Sequence, residues 1–240
     1  MRSRNAASRS NCSKQRRSKT TYESLEDRRL LATLVAFDLG TGQLTIDLTE
    51  SNDTAVVSIS GDNVTVNGSE DLITSLPGTQ AGNFSDVTGI EIRGSAAHTG
   101  HVVTLDGDYS NSNGAQLVQL EISDVGSVTV AGDYQLSGDL SIALTNAGAG
   151  MSDTSGRLRV GGATKIDAAN NDVVLNTLNN NFVGAVSLSN TSSSAAMWVM
   201  DQNDLQLAQI SVLGDLDIIA SGAVTDTAAS TINVGGAGRF

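Results

Sequence analysis

The chain has 240 residues, 39% of them hydrophobic but only 3% aromatic, with 25 Gly, one Pro and a formal net charge of -12. Its core must be built from Val, Leu, Ile and Ala, and the abundance of Gly, Ser, Thr, Asn and Asp favours short strands and tight turns over long helices. The single cysteine, Cys12, excludes a disulfide within the chain and a Cys-based zinc site, and no apolar run approaches the ~18 residues of a membrane-spanning helix.

The charge is unevenly divided. Residues 1–29 hold nine Lys/Arg and three Asp/Glu, whereas residues 30–240 hold five and twenty-three, so a leader of +6 precedes a body of -18. An acidic body repels phosphates, which excludes DNA or RNA as its partner. The leader, residues 1–37, is Arg- and Ser-rich with no acidic residue before Glu23, a composition expected to be disordered. Thr20 and Glu23 fit a capping box for a short helix, and the apolar run Leu30 to Phe37 follows. As a secretory signal this run is at the lower limit of length and lacks Ala-x-Ala. Arg28-Arg29 before Leu30-Leu31 suits a twin-arginine signal, the Arg/Ser bias a transit peptide, and a solvated basic tail is the plain reading.

The segment "YESLEDRRLLA" (22–32) resembles the LEPR-XLL segment near the N-termini of large, repetitive bacterial surface or secreted proteins. Leu25, Glu26, Arg28, Leu30 and Leu31 stand at the matching positions, with Asp27 where that segment has proline. The resemblance implies an export or sorting role for these residues, and hence an extracellular or cell-surface location.

Beyond residue 38 the signal is alternation closed by glycine. "NVTVNG", "IEIRG", "VVTLDGDY", "SVTVAGDY", "RLRVGG", "ISVLGD" and "TINVGG" share the form apolar-x-apolar-x-Gly, in which residues two apart face one side of a sheet and the glycine permits the next turn. Residues 38–110 read as an N-terminal β region suited to capping a solenoid, with Pro77 in a turn at their main internal boundary. Residues 111–240 read as a strand repeat. Its markers Val130, Val160, Leu188, Val212 and Val234 fall at intervals of 30, 28, 24 and 22, the window of solenoid architectures with variable loops. "TKIDA", "DVVLNTL", "LQLAQI" and "LDIIASGAV" add further strands between them.

The expected fold is therefore all-β, a right-handed parallel β-helix (β-solenoid) preceded by a disordered basic leader. The alternative is an antiparallel β-sandwich, which stands level with the solenoid for residues 33–110 and behind it for 115–240. Residues 157–240 are similar to the filamentous, adhesin-type β-strand repeats of large bacterial surface proteins, through "GGATKIDA", "NNFVGAVSLSN", "LGDLDIIASGAVTD" and "STINVGG". That likeness implies a solenoid. No capping sequence follows the last repeat, so the chain reads as truncated, with an open solenoid end suited to self-association.

Few constellations suggest chemistry. His98 and His101, the only histidines, would need Asp106 or Asp108 as a further ligand to hold a metal, and read as solvated loop residues. Calcium suits acidic turns better; Asp106, Asp108 and Asp133 are the candidates, although neither a Gly-Gly-x-Gly-x-Asp repeat nor an EF-hand loop is intact. No Gly-x-Ser-x-Gly elbow occurs, and of the body's basic residues, Arg93, Arg157, Arg159, Lys165 and Arg239, only Arg157 and Arg159 share a strand face. Trp198, in "AAMWVMDQ", reads as a plug between coils; on an outer face it would stack on a sugar ring or dock a partner.

The expected function is a non-catalytic, secreted or cell-surface structural or adhesive β-repeat protein without a required cofactor, whose partners are surface glycans or proteins. The alternatives are a lyase-type β-helix enzyme acting on polysaccharide, a calcium-binding surface repeat protein, and an intracellular protein with a basic targeting tail.

Overall fold

The computed structural model describes residues 33–60, 63–67, 86–95, 97–108, 117–145 and 148–240. Leu25, Glu26, Arg28, Leu30 and Leu31 of the leader, and Pro77, lie outside these residues. The chain opens with β1 (Thr33–Asp38), β2 (Gln43–Leu48), β3 (Thr54–Ser60) and β4 (Asn63–Val66). It continues through β5 (Gly89–Arg93), β6 (Val102–Asp108), β7 (Gln119–Val125), β8 (Ser127–Val130), β9 (Asp133–Leu136), β10 (Asp139–Leu144), β11 (Gly150–Asp153) and β12 (Arg157–Val160). Then follow β13 (Thr164–Asp167), β14 (Val173–Leu175), β15 (Asn181–Phe182), β16 (Val186–Ser189), β17 (Ala196–Asp201), β18 (Leu205–Val212), β19 (Asp215–Ala220), β20 (Val224–Val234) and β21 (Gly238–Arg239).

These strands wind into a β-solenoid. A 9-stranded sheet runs β1-β2-β5-β7-β10-β13-β16-β18-β20, and a 12-stranded sheet holds the intervening strands, with β15-β12-β9 continuing to β6 and on through β8-β11-β14-β17-β19-β21. Within a sheet, neighbours are one turn apart in sequence and parallel, for example β7 with β10 and β17 with β19. An antiparallel β-sandwich is thus not what forms. Among the described residues the antiparallel pairs are two: β1 lies on β2, and β4 on β3. The region that reads as a cap from its sequence therefore supplies an antiparallel strand to the edge of each sheet. The apolar run that closes the leader enters β1 from Thr33 onward, so part of it is sheet.

Each turn is held to the next by stacked aliphatic side chains. In the first sheet the parallel register aligns Ile46, Ile92, Ile122, Ile142, Ile166, Leu188 and Ile210, all buried, into one inward column. The second sheet answers with Ala55, Val103, Val128, Met151, Val173, Met197 and Leu216. β-branched residues suit the pleated ladder, and full burial of each such side chain contributes roughly 1.5–3 kcal/mol. The core thus relies little on aromatics; among the described residues Phe37, Tyr134 and Phe182 enter it, from β1, β9 and β15.

The repeat glycines have a different cause from the one their sequence suggests. Positive φ is confined, among described glycines, to Gly42, Gly100 and Gly150. The glycines that close the repeats instead stack on one another across turns: Gly107, Gly132 and Gly156 form one column, and Gly138, Gly162 and Gly184 another. A Cβ on Gly162 would lie 2.6 Å from the Gly138 carbonyl carbon, while the Gly162 N–H donates to the Gly138 carbonyl at 2.8 Å. Aspartate clasps at the starts of strands in both sheets add to these contacts. Asp139, Asp172, Asp204 and Asp215 each accept, through Oδ1, the backbone N–H of an alanine one turn on: Ala163, Ala196, Ala223 and Ala237, at 2.7–2.8 Å. In the last turns the spacing settles at 22 residues, as Leu188, Ile210 and Ile232 show.

Candidate functional site

The calcium candidates lie on adjoining turns of the second sheet. Asp106 and Asp108 are exposed on β6, and Asp133 opens β9 directly beside Asp108 in the register. Asp133 is ion-paired with Arg157, its register neighbour on β12. Asp106 Oδ1 lies over Gly132, where a Cβ would come within 2.8 Å. Among the described residues, no three Asp, Glu, His or Cys side chains converge as a ligand set. The two histidines part company. His98 Nδ1 meets Ser51 Oγ at 3.2 Å, whereas His101 is fully buried and its Nε2 accepts from the Ser95 N–H at 3.3 Å.

Arg157 and Arg159 do share an outward face, as alternation requires. Arg159 stands in register with Gln135 and Asn181, and with Gln202 and Val183 it lines a shallow polar hollow of ≈ 480 Å³.

Trp198 is not a core plug. Met197 and Val199 point inward at 1% exposure, and Trp198 between them stands on the outer face with 37% of its surface exposed. The parallel register sets it in an outward row Val174, Trp198, Asp217, Arg239. A second outward row, Ala196, Asp215 and Ala237, runs alongside, and its small residues leave a hollow of ≈ 360 Å³ between the two. Arg239 grips Asp217 in a bidentate pair, Nε to Oδ1 at 2.8 Å and Nη2 to Oδ2. That hydrogen bond, and then the attraction of the carboxylate charge, raise the Arg239 guanidinium above its ordinary value, so it stays charged.

Among the described residues, two carboxylates that the sequence hides are turned into the solenoid. Asp153, at the end of β11, accepts from the Asn176 and Thr177 N–H groups at 2.9 Å each and from Asn180 Nδ2 at 2.7 Å. Asp201 ends β17 on the inward side, 3% exposed, and accepts from the Phe182 N–H at 3.4 Å and the Asn203 N–H at 3.3 Å. Burial pushes the Asp201 carboxyl above its ordinary value of 3.8, against the opposing backbone hydrogen bonds from Asn203, Phe182 and Gln202. A carboxyl raised on folding binds its proton more tightly in the native state. The stability this adds is complete below about 3.8 and is lost as pH rises through the folded value. The parent should therefore gain stability relative to Asp201→Asn as pH falls from 7 toward that range, read as urea midpoints of the two proteins. A difference that does not change with pH would remove Asp201 as a native-state proton site.

No helix among the described residues is long and apolar enough to cross a membrane. No curated protein and no solved structure matches the chain. Residues 119–189 and 194–240, which carry the solenoid from β7 through β16 and from β17 to β21, match a family described as Repeats of unknown function (DUF5649), and in these turns the chain is similar to that repeat family.

Proposed function

We propose that the chain is a non-catalytic structural or adhesive β-repeat protein of the cell surface or extracellular space. The observation that carries this reading is the use made of its acidic side chains. Asp139, Asp172, Asp204 and Asp215 clasp the backbone of the next turn, Asp153 holds a buried turn, and Asp47, Asp133 and Asp217 each hold an arginine. Groups from which acid–base chemistry would draw are engaged in spacing the coils, which suits a rigid, protease-resistant rod displaying ligands or neighbours on its outer faces. The LEPR-XLL-like leader supports export. The test is protease shaving of intact cells that produce the full chain with an epitope tag inserted in the body. Surface release of the tag is expected; a tag that becomes accessible only after lysis would place the chain inside the cell and overturn the reading.

The hollow beside Arg159 favours a second reading, a lyase-type enzyme acting on acidic polysaccharide, since a guanidinium ringed by Gln135, Asn181 and Gln202 suits a uronate carboxylate. Release of unsaturated products from uronate-rich glycans, with or without calcium, and its loss in Arg159→Ala would replace the first reading with this one.

A further inference from the structure

The chain's single tryptophan is placed where solvent meets the sheet, and the groups around it are arranged as a contact surface. We propose that the hollow bounded by Trp198, Asp217 and Arg239 binds an uncharged, hydroxyl-rich carbohydrate, an inference that rests on the adhesive reading and gives it a ligand class.

Three features of the hollow select that class. The first is the aromatic face. An indole left 37% exposed on the outer face, between Val174 and Asp217 in its row, presents a flat apolar surface to water. Such a surface stacks well against the C–H face of a sugar ring. The second is charge. The body carries about -18, which repels acidic glycans and phosphates over the whole rod. Within the hollow the Arg239 guanidinium offsets the Asp217 carboxylate, and Asp215, whose Oδ1 accepts the Ala237 N–H, leaves one net negative charge. Acidic ligands are thus repelled inside the hollow as well as outside it, and an uncharged one is chosen by stacking and hydrogen bonds. The third is the donor and acceptor set. Arg239 uses Nε and one Nη on Asp217, which leaves further N–H donors, and each Asp217 oxygen keeps lone-pair capacity. Vicinal hydroxyls, each both donor and acceptor, match that pair, whose bidentate geometry holds it in place.

The dimensions agree. The hollow crosses three strands, β17, β19 and β21, at about 4.8 Å spacing, so it is roughly 10 Å long. Its second wall is low because Ala196 and Ala237 carry only methyl groups. A linear oligosaccharide lying along the solenoid axis would set a ring on Trp198 and its neighbour over Asp217 and Arg239.

Because Trp198 is the only tryptophan, fluorescence excited beyond the absorption of the three tyrosines reports on this site alone. The full chain is titrated with cellohexaose, chitohexaose and mannohexaose, with polygalacturonate as the acidic comparison, and affinities are measured by calorimetry. The expected result is a saturable fluorescence change with at least one neutral hexaose. Trp198→Ala should weaken its binding by about tenfold or more, whereas Trp198→Phe keeps most of it. Arg239→Ala should weaken it as well, and the circular dichroism spectra of all variants should coincide, since these side chains lie outside the core. No saturable response to any neutral hexaose, a response to polygalacturonate alone, or unchanged affinity in Trp198→Ala would overturn the proposal. The shaving experiment separates the two failures. A surface chain without saccharide binding removes this inference only, and a cytosolic chain that binds a hexaose removes the adhesive reading only.

Discussion

Replacing Gly156 by valine lowers stability by about 3 kcal/mol or more, whereas Gly238→Ala changes it by less than about 1 kcal/mol. The contrast follows from what a side chain would meet. At Gly156 a Cβ would lie 2.7 Å from both the backbone N and the carbonyl carbon of Gly132, and closer still to its oxygen. None of these atoms can rotate away. At Gly238 the nearest atom belongs to the Phe240 ring, at 3.3 Å, and an exposed ring can move. The chain at Gly156 does not need glycine for its φ, so the loss measures the approach of one turn to the next. Because each turn touches only its neighbours, the damage concentrates there. Amide hydrogen exchange should quicken first around β9 and β12, which pair immediately after the Gly132–Gly156 contact. In a domain of this size 3 kcal/mol corresponds to a drop in thermal midpoint of roughly 6–12 °C. Equal midpoints for the two variants would mean that the glycine columns do not set the spacing of the coils.

That result bears on how much of the fold could be read from residues alone. Alternation with closing glycines identified strands and a coiled repeat, because inward positions two apart must be apolar in any solenoid. It did not show which strands stack. The markers Val130 and Val160 belong to the second sheet, on β8 and β12, while Leu188, Val212 and Val234 belong to the first, on β16, β18 and β20. Their drifting intervals mixed two faces of the coil, and the true columns became visible only through the register. A period of two carries no label for the sheet a strand joins. The Gly-Ala dipeptides at 162–163, 222–223 and 236–237, each lying over an aspartate of the preceding turn, were the available signal.

The outward placement of Trp198 escapes local alternation for a related reason. "AMWVMD" is apolar at five successive positions, so alternation does not say which set turns inward. Counting polarity alone puts Trp198 inside and Asp201 outside. The structure does the reverse, because Met197 must align with Val173 and Leu216 in the inward column. Register with neighbouring turns outweighs the local preference of an indole for burial, and it also pushes Asp201 into the interior. The calcium candidates show the converse case: their sequence suggests turns, yet Asp106 and Asp108 lie within β6 and Asp133 opens β9, and the partnership of Asp133 with Arg157 depends on a residue one turn away.

Asn180→Leu should cost about 3 kcal/mol or more, although leucine is larger, apolar and placed where the core would welcome it. Asn180 is completely buried between turns. Its Oδ1 accepts the Leu158 N–H at 2.8 Å, and its Nδ2 donates to Asp153 Oδ2 at 2.7 Å. Leucine leaves a backbone donor of β12 without a partner and removes one donor from a carboxylate that is itself only 5% exposed. Each orphaned group carries a desolvation cost of about 1–3 kcal/mol, more for the charged one. The carboxylate would keep its bonds from Asn176 and Thr177, so the turn between β14 and β15 should loosen without melting. A double-mutant cycle isolates the link. Asp153→Ala and Asn180→Ala each orphan part of the other's partners, so the double variant should lose less than the sum of the singles, by about 1 kcal/mol or more. Additive losses would mean that the two side chains act separately. In that case the buried polar corner would be two independent turn caps, and the specificity of the stacking at this level of the coil would rest on the aliphatic columns alone.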